Sequence, residues 1–258
     1  MNEILNALYV RKSMRAYTGE SVSAEKKEMI LRAACEAPTA GNQQLYTILD
    51  ITDQSIKDRL AVSCDNQPFI AEAEVVLIFC ADCQKWYDAF VYGGCEPRLP
   101  RVGDLMLAVT DCAIAAQNAV TAADSLGLGS CYIGDIMEQC EVHRELLNLP
   151  DYVFPAVMLV IGVPTQQQLE RPKPKRCSLK HIVHENAYRR MEADELQEML
   201  VSHAGQRPYE EWLTAFCNRK YQSDFSREMS RSVEEYLKAF QSGMVKGDTS
   251  HEKDPACH

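Results

Sequence analysis

The segment 11–17 alternates cations with a hydroxyl in a pattern that could bind an anion. Arg11, Ser13 and Arg15 occupy every second position, and Lys12 lies between the first two. A guanidinium donates paired hydrogen bonds to phosphate oxygens and a hydroxyl can donate another, so one extended or turning segment could hold a phosphorylated ligand. Taken alone, such a segment is more often a solvated basic patch, and its interpretation depends on motifs elsewhere in the chain.

Further motifs follow the first in a fixed order. They are Ala-Pro-Thr-Ala-Gly-Asn-Gln-Gln at 37–44, Gly-Leu-Gly-Ser-Cys-Tyr-Ile-Gly at 127–134, and Lys-Pro-Lys-Arg at 173–176 ahead of Val-His-Glu-Asn at 183–186. In this order and spacing the chain resembles the FMN-dependent nitroreductase family. Within that family it is similar to the branch of oxygen-insensitive NADPH nitroreductases and flavin reductases.

The resemblance implies cofactor contacts for the first motif. Arg11 and Ser13, with Lys12 between them, match the residues that hold the FMN phosphate and ribityl chain. Arg15 matches the cation near N1 and O2 of the isoalloxazine ring. A fixed guanidinium there would stabilise the negative charge that two-electron reduction places on this edge of the flavin.

The resemblance also implies phosphate contacts late in the chain. Arg176 matches the family's late arginine, seven residues before the valine of Val-His-Glu-Asn. A strict count places Pro174 where the family usually has a lysine. Either Lys173 or Lys175 therefore takes that role after a shift of one residue.

Other residues are implied to surround the flavin ring. Tyr132, Ile133 and Gly134 match the segment behind the ring, where an apolar wall and a glycine allow close approach. Asp135 replaces the smaller residue that is usual in the family, and a carboxylate so near a flavin could alter its reduction potential. Gln67 matches a glutamine that reaches the polar edge of the ring.

The second motif corresponds to the part of the site that a second subunit contributes. The residues concerned are Thr39, Ala40, Gly41 and Gln43. The resemblance therefore implies an intertwined homodimer with shared FMN sites. The fold that it implies is an α+β sandwich, in which a central, mostly antiparallel sheet is flanked by helices.

The implied reaction is hydride transfer from NAD(P)H through flavin N5 to nitroaromatics, quinones or free flavin. Such chemistry needs positioning more than an acid or a base, and no catalytic side chain is predicted. The Gly-Leu-Gly of 127–129 is followed three positions later by Tyr132, so the dinucleotide fingerprint with three glycines is absent. The choice between NADPH and NADH and the identity of the physiological acceptor stay open.

Other functions are compatible with the same residues. The scaffold could serve a different flavin reaction, such as dehalogenation or fragmentation of the flavin. The chain could instead be a flavin-binding redox sensor without turnover. It could also be a helical interaction module whose cations lie on the surface and bind no cofactor. A yellow protein that NAD(P)H bleaches would separate the enzyme from these alternatives.

Composition narrows the class of partner and the compartment. The formal net charge of −10 argues against nucleic acid or an anionic membrane as the main partner. The eleven cysteines are scattered without paired spacing, which is typical of reduced, cytoplasmic proteins. We predict no metal site, no secretory signal and no membrane span; charged and amide residues interrupt the most apolar run, 105–128.

Hydrophobic periodicity predicts the elements that carry the motifs. The predicted helices and strands are helices at 2–10, 23–35, 53–62 and 104–126, and strands at 46–51, 75–80, 131–133 and 156–163. Ser23 and Asp53 are predicted N-caps. The helix at 104–126 lacks a clean polar face, so we expect the subunit or a partner to cover it nearly all round.

The remaining segments complete the predicted organisation. Loops are predicted at 87–102, over or beside the site, and at 166–176, followed by charged helices. We expect one FMN-binding domain over 1–243, of which 189–243 forms a helical C-terminal extension. The polar segment 244–258 has no periodicity and is predicted to be a disordered tail.

Overall fold

The centre of the fold is a four-stranded antiparallel sheet with the strand order β1-β2-β4-β3. A computed structural model describes residues 2–241 of the chain. The strands are β1 Tyr46–Asp50, β2 Val75–Asp82, β3 Gly129–Ile133 and β4 Val153–Gly162. The predicted strands and the predicted α+β class with a mostly antiparallel sheet are confirmed.

Helices flank the sheet. In the described residues they are α1 Glu3–Val10, α2 Ala24–Cys35, α3 Gln54–Ser63, α4 Phe69–Glu72, α5 Gln84–Tyr92, α6 Val102–Ser125, α7 Cys140–Leu147, α8 Gln166–Glu170, α9 Leu179–Ile182, α10 Ala193–Ala204, α11 Tyr209–Tyr221 and α12 Asp224–Gln241. The side chain of Ser23 accepts a hydrogen bond from the backbone of Lys26, and that of Asp53 accepts from Ser55 and Ile56. Both predicted caps are thereby confirmed.

Both faces of the sheet are buried. Every residue of β2 is buried, as its continuous apolar sequence predicts for a strand covered on both sides. Phe79 faces α2, α6 and α12, where it shares a core with Phe240. Ile78 faces the opposite side and packs in the core that includes Leu60 of α3 and Ile136 of the 3-10 turn Gly134–Met137.

The long helix α6 crosses the first of these faces. Its alanines at 108, 115 and 119 are fully buried, and such small side chains let the helix lie close to the sheet. Among the described residues, α6 is the helix whose length and apolar composition would allow a membrane span, a property that it shares with core helices of many folds. Its outer side leaves Met106 and Leu107 exposed by 60% and 50%. One chain therefore covers α6 on one side only.

The predicted loop at 87–102 is wrong in its first part. Residues Gln84–Tyr92 form α5, in which Trp86 and Phe90 pair at a centroid distance of 5.6 Å. Aromatic pairs four positions apart stabilise a helix, and Trp86 Nε1 also donates a hydrogen bond to the Gln43 carbonyl oxygen. The loop was predicted from the glycines and prolines that follow, whereas the spacing of these two aromatic residues is a signal for a helix.

Other differences concern short helices. The predicted loop at 166–176 begins as helix α8, so its first part is also wrong. The helices α4 and α7 are absent from the predicted elements, and α7 starts abruptly because Gln139 adopts a left-handed backbone with φ of 48°. The charged helices predicted for the C-terminal part are confirmed as α10, α11 and α12, whereas the predicted tail at 244–258 lies outside the described residues.

Candidate functional site

The first motif is fixed along the edge of the sheet. The backbone N–H of Met14 donates to the Ser130 carbonyl of β3 at 2.9 Å, and Tyr17 forms an antiparallel bridge with Pro164. The Tyr17 hydroxyl donates to the Met14 carbonyl at 2.9 Å, and burial raises the pKa of this phenol, which stays neutral. Side chains of the motif therefore project from a rigid backbone, as a preorganised binding site requires.

Two strand glycines allow this close contact. A Cβ atom at Gly129 would lie 2.7 Å from Met14 Cγ, and one at Gly162 would lie 2.8 Å from Tyr17 Cδ1. Both distances are well inside van der Waals contact, so a larger residue would push the motif away from the sheet. A glycine within a strand often marks such a close approach of another segment, and this is the sequence signal for the contact.

Two nitrogens of the Arg11 guanidinium lack a hydrogen-bond partner in the described part of the chain. Its Nε and Nη2 atoms are buried and make no hydrogen bond within the described residues. The guanidinium carbon lies 5.5 Å from the centroid of the Tyr132 ring. Buried donors need acceptors, and phosphate oxygens supply them in the geometry that a guanidinium prefers. The surroundings of Arg11 therefore fit the phosphate of FMN.

Ser13 and Arg15 approach the same strand. Burial raises the pKa of the Cys131 thiol in β3. Arg15, Ser13 and Arg11 lower the pKa of this thiol, which shows that all three lie close to it. Arg15 is exposed, and its backbone N–H donates to Gln168 Oε1 at 3.1 Å. The structure thus brings Arg11 and Ser13, predicted for the phosphate, close to Arg15, predicted for the ring edge.

The nearest lysines bind backbone carbonyls. Lys12 Nζ donates to the carbonyls of Leu169, at 2.6 Å, and of Arg171. Lys173 Nζ donates to the Tyr9 carbonyl at 2.5 Å. These carbonyls lie at or near the C-terminal ends of α8 and α1. Each ammonium is therefore also attracted by the negative end of a helix dipole. Direct contact of Lys12 or Lys173 with the cofactor stays a prediction.

Further cations line the segment that follows α8. Arg171, which the sequence reading missed, donates from Nη2 to the Ser13 carbonyl at 2.5 Å and has a buried Nε without a partner in the described chain. Lys175 and Arg176 are exposed. Arg176 lies three residues after Lys173, within about 10 Å along the chain, and its contact with the phosphate stays a prediction.

The end of β3 carries the residues predicted to form the wall behind the ring, and their contact with the ring stays a prediction. Ile133 is buried, and the Tyr132 hydroxyl donates to Gln117 Oε1 on α6 at 3.2 Å. Gly134 is exposed, and a Cβ added there would meet only Met137 Cε at 4.0 Å. Protein packing does not require a glycine at this position, and the open space beside it suits a flat ligand.

Gln67 and Asp135 lie on the same side of the sheet. Gln67 Nε2 donates to the Cys64 carbonyl at 2.8 Å. Burial raises the pKa of the Cys64 thiol, and the charge of Asp135 raises it further, which places this carboxylate near the end of α3. Their predicted contacts with the ring remain predictions.

A buried carboxyl group adjoins this segment. Glu138 is 5% exposed, and its Oε1 has no hydrogen-bond partner among the described residues. Burial raises its pKa to about 7, and the nearby Asp135, Asp65 and Glu228 act in the same direction. No local sequence pattern indicates this raised pKa, because the three acidic neighbours come from separate parts of the chain.

A buried histidine connects α3 to the 3-10 turn after β3. His143 Nδ1 lies 2.9 Å from the Ile136 carbonyl, and Nε2 lies 2.8 Å from Ser63 Oγ. Burial lowers the pKa of His143, which favours the neutral ring. Since a carbonyl can only accept, Nδ1 carries the proton and Nε2 accepts from the Ser63 hydroxyl. These two hydrogen bonds hold the turn that contains Gly134 against α3.

Asp111 of α6 holds the second motif. Its Oδ1 accepts from the Ala40 backbone N–H at 3.0 Å and its Oδ2 accepts from that of Leu45 at 3.2 Å. Thr39 Oγ1 accepts from the Gln44 N–H at 3.2 Å. The sequence reading noted Asp111 only as an interruption of an apolar run, although a carboxylate inside a buried helix requires such partners.

The rest of the motif is a tight turn. Gly41 has φ of 58°, in the left-handed region that favours glycine. The Gln43 carbonyl accepts from Trp86 Nε1 at 2.7 Å, which ties the turn to α5. Thr39, Ala40, Gly41 and Gln43 are therefore presented together on one ordered turn.

The first and second motifs lie beside different turns of α6. Burial raises the pKa of Asp124 and Arg11 lowers it, which places Arg11 near the C-terminal end of this helix. Asp111, which holds Ala40, lies thirteen residues earlier, or about 20 Å at 1.5 Å per residue. A single chain therefore keeps the first and second motifs apart.

Such a site, carried by an antiparallel sheet between helical layers, defines an α+β protein that binds a flavin nucleotide. A model of the nitroreductase family matches residues 8–163. The FMN reductase (NAD(P)H) of Bacillus subtilis (strain 168) is 31% identical over 245 residues, covering 92% of this chain and 91% of the relative. The oxygen-insensitive NADPH nitroreductase of Salmonella typhimurium is 32% identical over 220 residues, covering 85% and 87%.

A solved structure agrees with these relatives. NfrA2 of Bacillus megaterium superposes with a TM-score of 0.78 at 29% identity, covering 92% of this chain and 98% of that one. The chain belongs to the nitroreductase family. The predicted family and the predicted nitroreductase-like fold are confirmed.

Proposed function

We propose that this chain is an FMN-dependent oxidoreductase that takes a hydride from NAD(P)H and reduces nitroaromatics, quinones or free flavin. The observation that carries this proposal is that Arg11, at the start of a rigid segment, has a buried Nε and a buried Nη2 without hydrogen-bond partners among the described residues. Relatives named FMN reductase and NADPH nitroreductase, which this chain covers over most of their length, support both FMN and NAD(P)H.

Each part of the site has a distinct task. Arg11, Ser13 and Arg176 would hold the phosphate and ribityl chain, and the open wall at Gly134 would let the ring approach. When bound, FMN supplies two-electron chemistry through its N5 atom. Arg15 would stabilise charge at the N1 and O2 edge of the ring, and protons can come from solvent. The protein thus acts by positioning and by electrostatic stabilisation.

Absorbance spectroscopy tests the proposed function. The purified protein, loaded with FMN, is expected to show flavin absorbance that NADPH or NADH bleaches without oxygen and that a quinone or nitro compound restores. Bound flavin that neither nucleotide reduces would favour a redox sensor. A protein that does not bind added FMN would contradict the proposal.

Arg15 is expected to set the reduction potential more than the affinity for FMN. Its cation would interact more strongly with the reduced, anionic flavin than with the neutral oxidised ring. Arg15→Gln should therefore retain FMN and lower the two-electron midpoint potential, by about 30 mV for ~1.4 kcal/mol of differential stabilisation. Reductive titration against a reference dye measures the change, and Arg15→Lys, which keeps the charge, is the matched control. An unchanged or raised potential in FMN-loaded Arg15→Gln would contradict this role.

We also propose a homodimer with shared FMN sites. Apolar side chains on α1 and α6 remain open to solvent in one chain, among them Ile4 at 66% and Met106 at 60% exposure. The separation of the two motifs along α6 is a second argument, since a second copy would supply the turn that holds Gly41. Sedimentation is expected to show a dimer at micromolar concentration. A folded, FMN-loaded monomer under these conditions would contradict the proposal.

The domain organisation and the compartment belong to the same proposal. One FMN-binding domain over 1–243 is supported by helix α12, whose Tyr236 and Phe240 are fully buried in the main core.

A cytoplasmic location is supported by the described cysteines, which form no disulfide with one another. The net charge of −10 argues against nucleic acid or an anionic membrane as a partner. The site suits small planar compounds instead.

A further inference from the structure

Glu138 lies directly after the 3-10 turn that begins at Gly134. Its backbone N–H donates to the Asp135 carbonyl at 3.0 Å, which closes the turn. At a rise of about 2.0 Å per residue, four residues place the Glu138 backbone within about 8 Å of Gly134. Since Gly134 is predicted to lie behind the flavin ring, the Glu138 carboxyl group lies near the predicted flavin site.

The chain on either side of Glu138 is held by one residue of α12. Ser232 Oγ donates to the Met137 carbonyl at 2.7 Å and accepts from the Cys140 N–H at 2.9 Å. Ser232 is fully buried, so water does not compete for these two hydrogen bonds. A carboxyl group on a segment fixed in this way has little freedom to turn toward water when it loses its proton.

The charges that act on Glu138 are negative and come from three segments. Burial, Asp135 of the turn, Asp65 after α3 and Glu228 of α12 together raise its pKa to about 7. Glu138 is 5% exposed, and its Oε1 has no hydrogen-bond partner among the described residues. An ionised carboxylate in these surroundings lacks the donors that would stabilise it. Glu138 is therefore balanced between its two protonation states near neutral pH.

Two further titratable groups face Glu138 and favour their neutral forms. His143 of α7 lies close to the Glu138 carbonyl, and burial lowers the pKa of its ring. Cys64 at the end of α3 lies within reach of the Glu138 charge, and burial raises the pKa of this thiol well above its usual range. On α12, Arg231 is paired with Glu228 at 2.8 Å. These contacts leave Glu138 as a carboxyl group that can change its charge near neutral pH.

We propose that Glu138 is a proton-binding residue coupled to the flavin, which binds a proton from water when the ring gains a hydride and returns this proton when the ring is reoxidised. The inference rests on the proposed function and adds to it a residue that acts through its charge. A new negative charge nearby favours the neutral form of a carboxyl group, and its removal favours the ionised form.

The proton and electron balance of this coupling is simple. The hydride of NAD(P)H brings two electrons and leaves one negative charge on the ring, while the Glu138 carboxylate and a proton from water form a neutral carboxyl group. When the acceptor takes the hydride, the carboxyl group releases that proton to water. Glu138 thus offsets the charge of the reduced ring without exchanging atoms with it.

The expected size of the effect follows from the distance. Two unit charges roughly 10 Å apart, at an effective dielectric constant of about 20, change a proton-binding constant roughly ten-fold. Because the pKa of Glu138 is about 7 before reduction, this residue should bind about half a proton per flavin near pH 7.5. Well below about pH 6 it is protonated in both redox states, and well above about pH 9 it is ionised in both.

Redox titration as a function of pH measures this proton. The FMN-loaded protein is reduced in the presence of reference dyes at steps from about pH 5.5 to about pH 9.5. The slope of the two-electron midpoint potential against pH gives the number of protons bound per two electrons. Near pH 7.5 the wild type is expected to bind about half a proton more than Glu138→Gln, which cannot ionise. At both ends of the pH range the two proteins should bind the same number.

Two other variants complete the experiment. Glu145→Gln is the matched control, since Glu145 is an exposed carboxylate on α7, and it should keep the excess proton. Asp65→Asn removes one of the neighbouring charges and serves if Glu138→Gln does not fold. Asp65 is exposed and has φ of 62°, a left-handed backbone that Asn also adopts. Glu138 then binds its proton less tightly, so the excess should move to lower pH.

The outcomes separate this inference from the proposed function. Equal proton numbers in wild type and Glu138→Gln over the whole pH range would overturn the coupling. Loss of the excess in Glu145→Gln, or an unmoved excess in Asp65→Asn, would overturn it as well. Because the dye titration needs no nicotinamide nucleotide, an excess proton in a protein whose flavin NAD(P)H does not reduce would retain the role of Glu138 and contradict the proposed function. Turnover with NAD(P)H but no excess proton would overturn the role of Glu138 alone.

Discussion

Replacing both Arg11 and Arg176 by alanine is expected to weaken FMN binding by roughly two to four orders of magnitude. Charge-assisted hydrogen bonds to a phosphate contribute ~1.5–3 kcal/mol each, and a factor of ten in affinity corresponds to ~1.4 kcal/mol. The fold should survive, since Arg11 Nε and Nη2 have no described partner to leave unpaired and Arg176 is exposed. Flavin fluorescence during titration with FMN measures the affinity, and circular dichroism checks the fold.

A matched control distinguishes loss of these contacts from loss of positive charge in general. Arg59 and Arg190 are also exposed arginines, and neither lies in a predicted FMN motif. The double variant Arg59→Ala and Arg190→Ala should therefore bind FMN as the wild type does. Stoichiometric FMN in the Arg11 and Arg176 double variant after dialysis would show that the phosphate site has been assigned to the wrong residues.

Glu138→Gln is expected to stabilise the protein at pH 8 but not at pH 4.5. The folded state raises the pKa of this carboxyl from 4.5 to about 7. Its contribution to stability is therefore fully present below about pH 4.5 and is lost as pH rises through 7, because the native state then holds an ionised, buried carboxylate. The shift corresponds to about 3 kcal/mol as an upper value, which the neutral amide should restore at high pH.

Urea unfolding at both pH values, at a fixed saturating FMN concentration, measures this difference. Glu145→Gln is the control, since Glu145 is an exposed carboxylate on the neighbouring helix α7. Burial lowers the pKa of His143, but this histidine is present in every variant, so each variant is compared with the wild type at the same pH. An equal effect of Glu138→Gln at pH 4.5 and pH 8 would rule out a raised pKa as its cause.

Local sequence signals account for much of the fold. Ser23 and Asp53 cap their helices because their side-chain oxygens accept hydrogen bonds from backbone N–H groups of the first turn, which have no partner within the helix. The apolar run at 75–80 could only be a strand or a short buried helix, and its β-branched residues favoured the strand. The antiparallel character of the sheet was implied only by the family resemblance, since pairing partners are distant in the chain, and the strand order was not predicted.

The parts that were missed depend on contacts between distant segments. Helix α5 was masked by the prolines and glycines that follow it, and its stability rests partly on the hydrogen bond between Trp86 and Gln43. Arg171 became visible as part of the site only through its bond to the Ser13 carbonyl. The raised pKa of Glu138 arises from neighbours at positions 65, 135 and 228, which no local pattern connects.

In the proposed homodimer with shared FMN sites, the distance between the two motifs along α6 would affect how the protein behaves on dilution. When each chain carries only part of each site, FMN binds to the paired state in preference to separate chains. Mass action then links cofactor occupancy to assembly, and FMN at one hundred times its dissociation constant adds about 2.7 kcal/mol per site to the stability of the pair. Subunits and cofactor would part together as protein concentration falls, so FMN helps to hold the assembly together as well as supplying its chemistry.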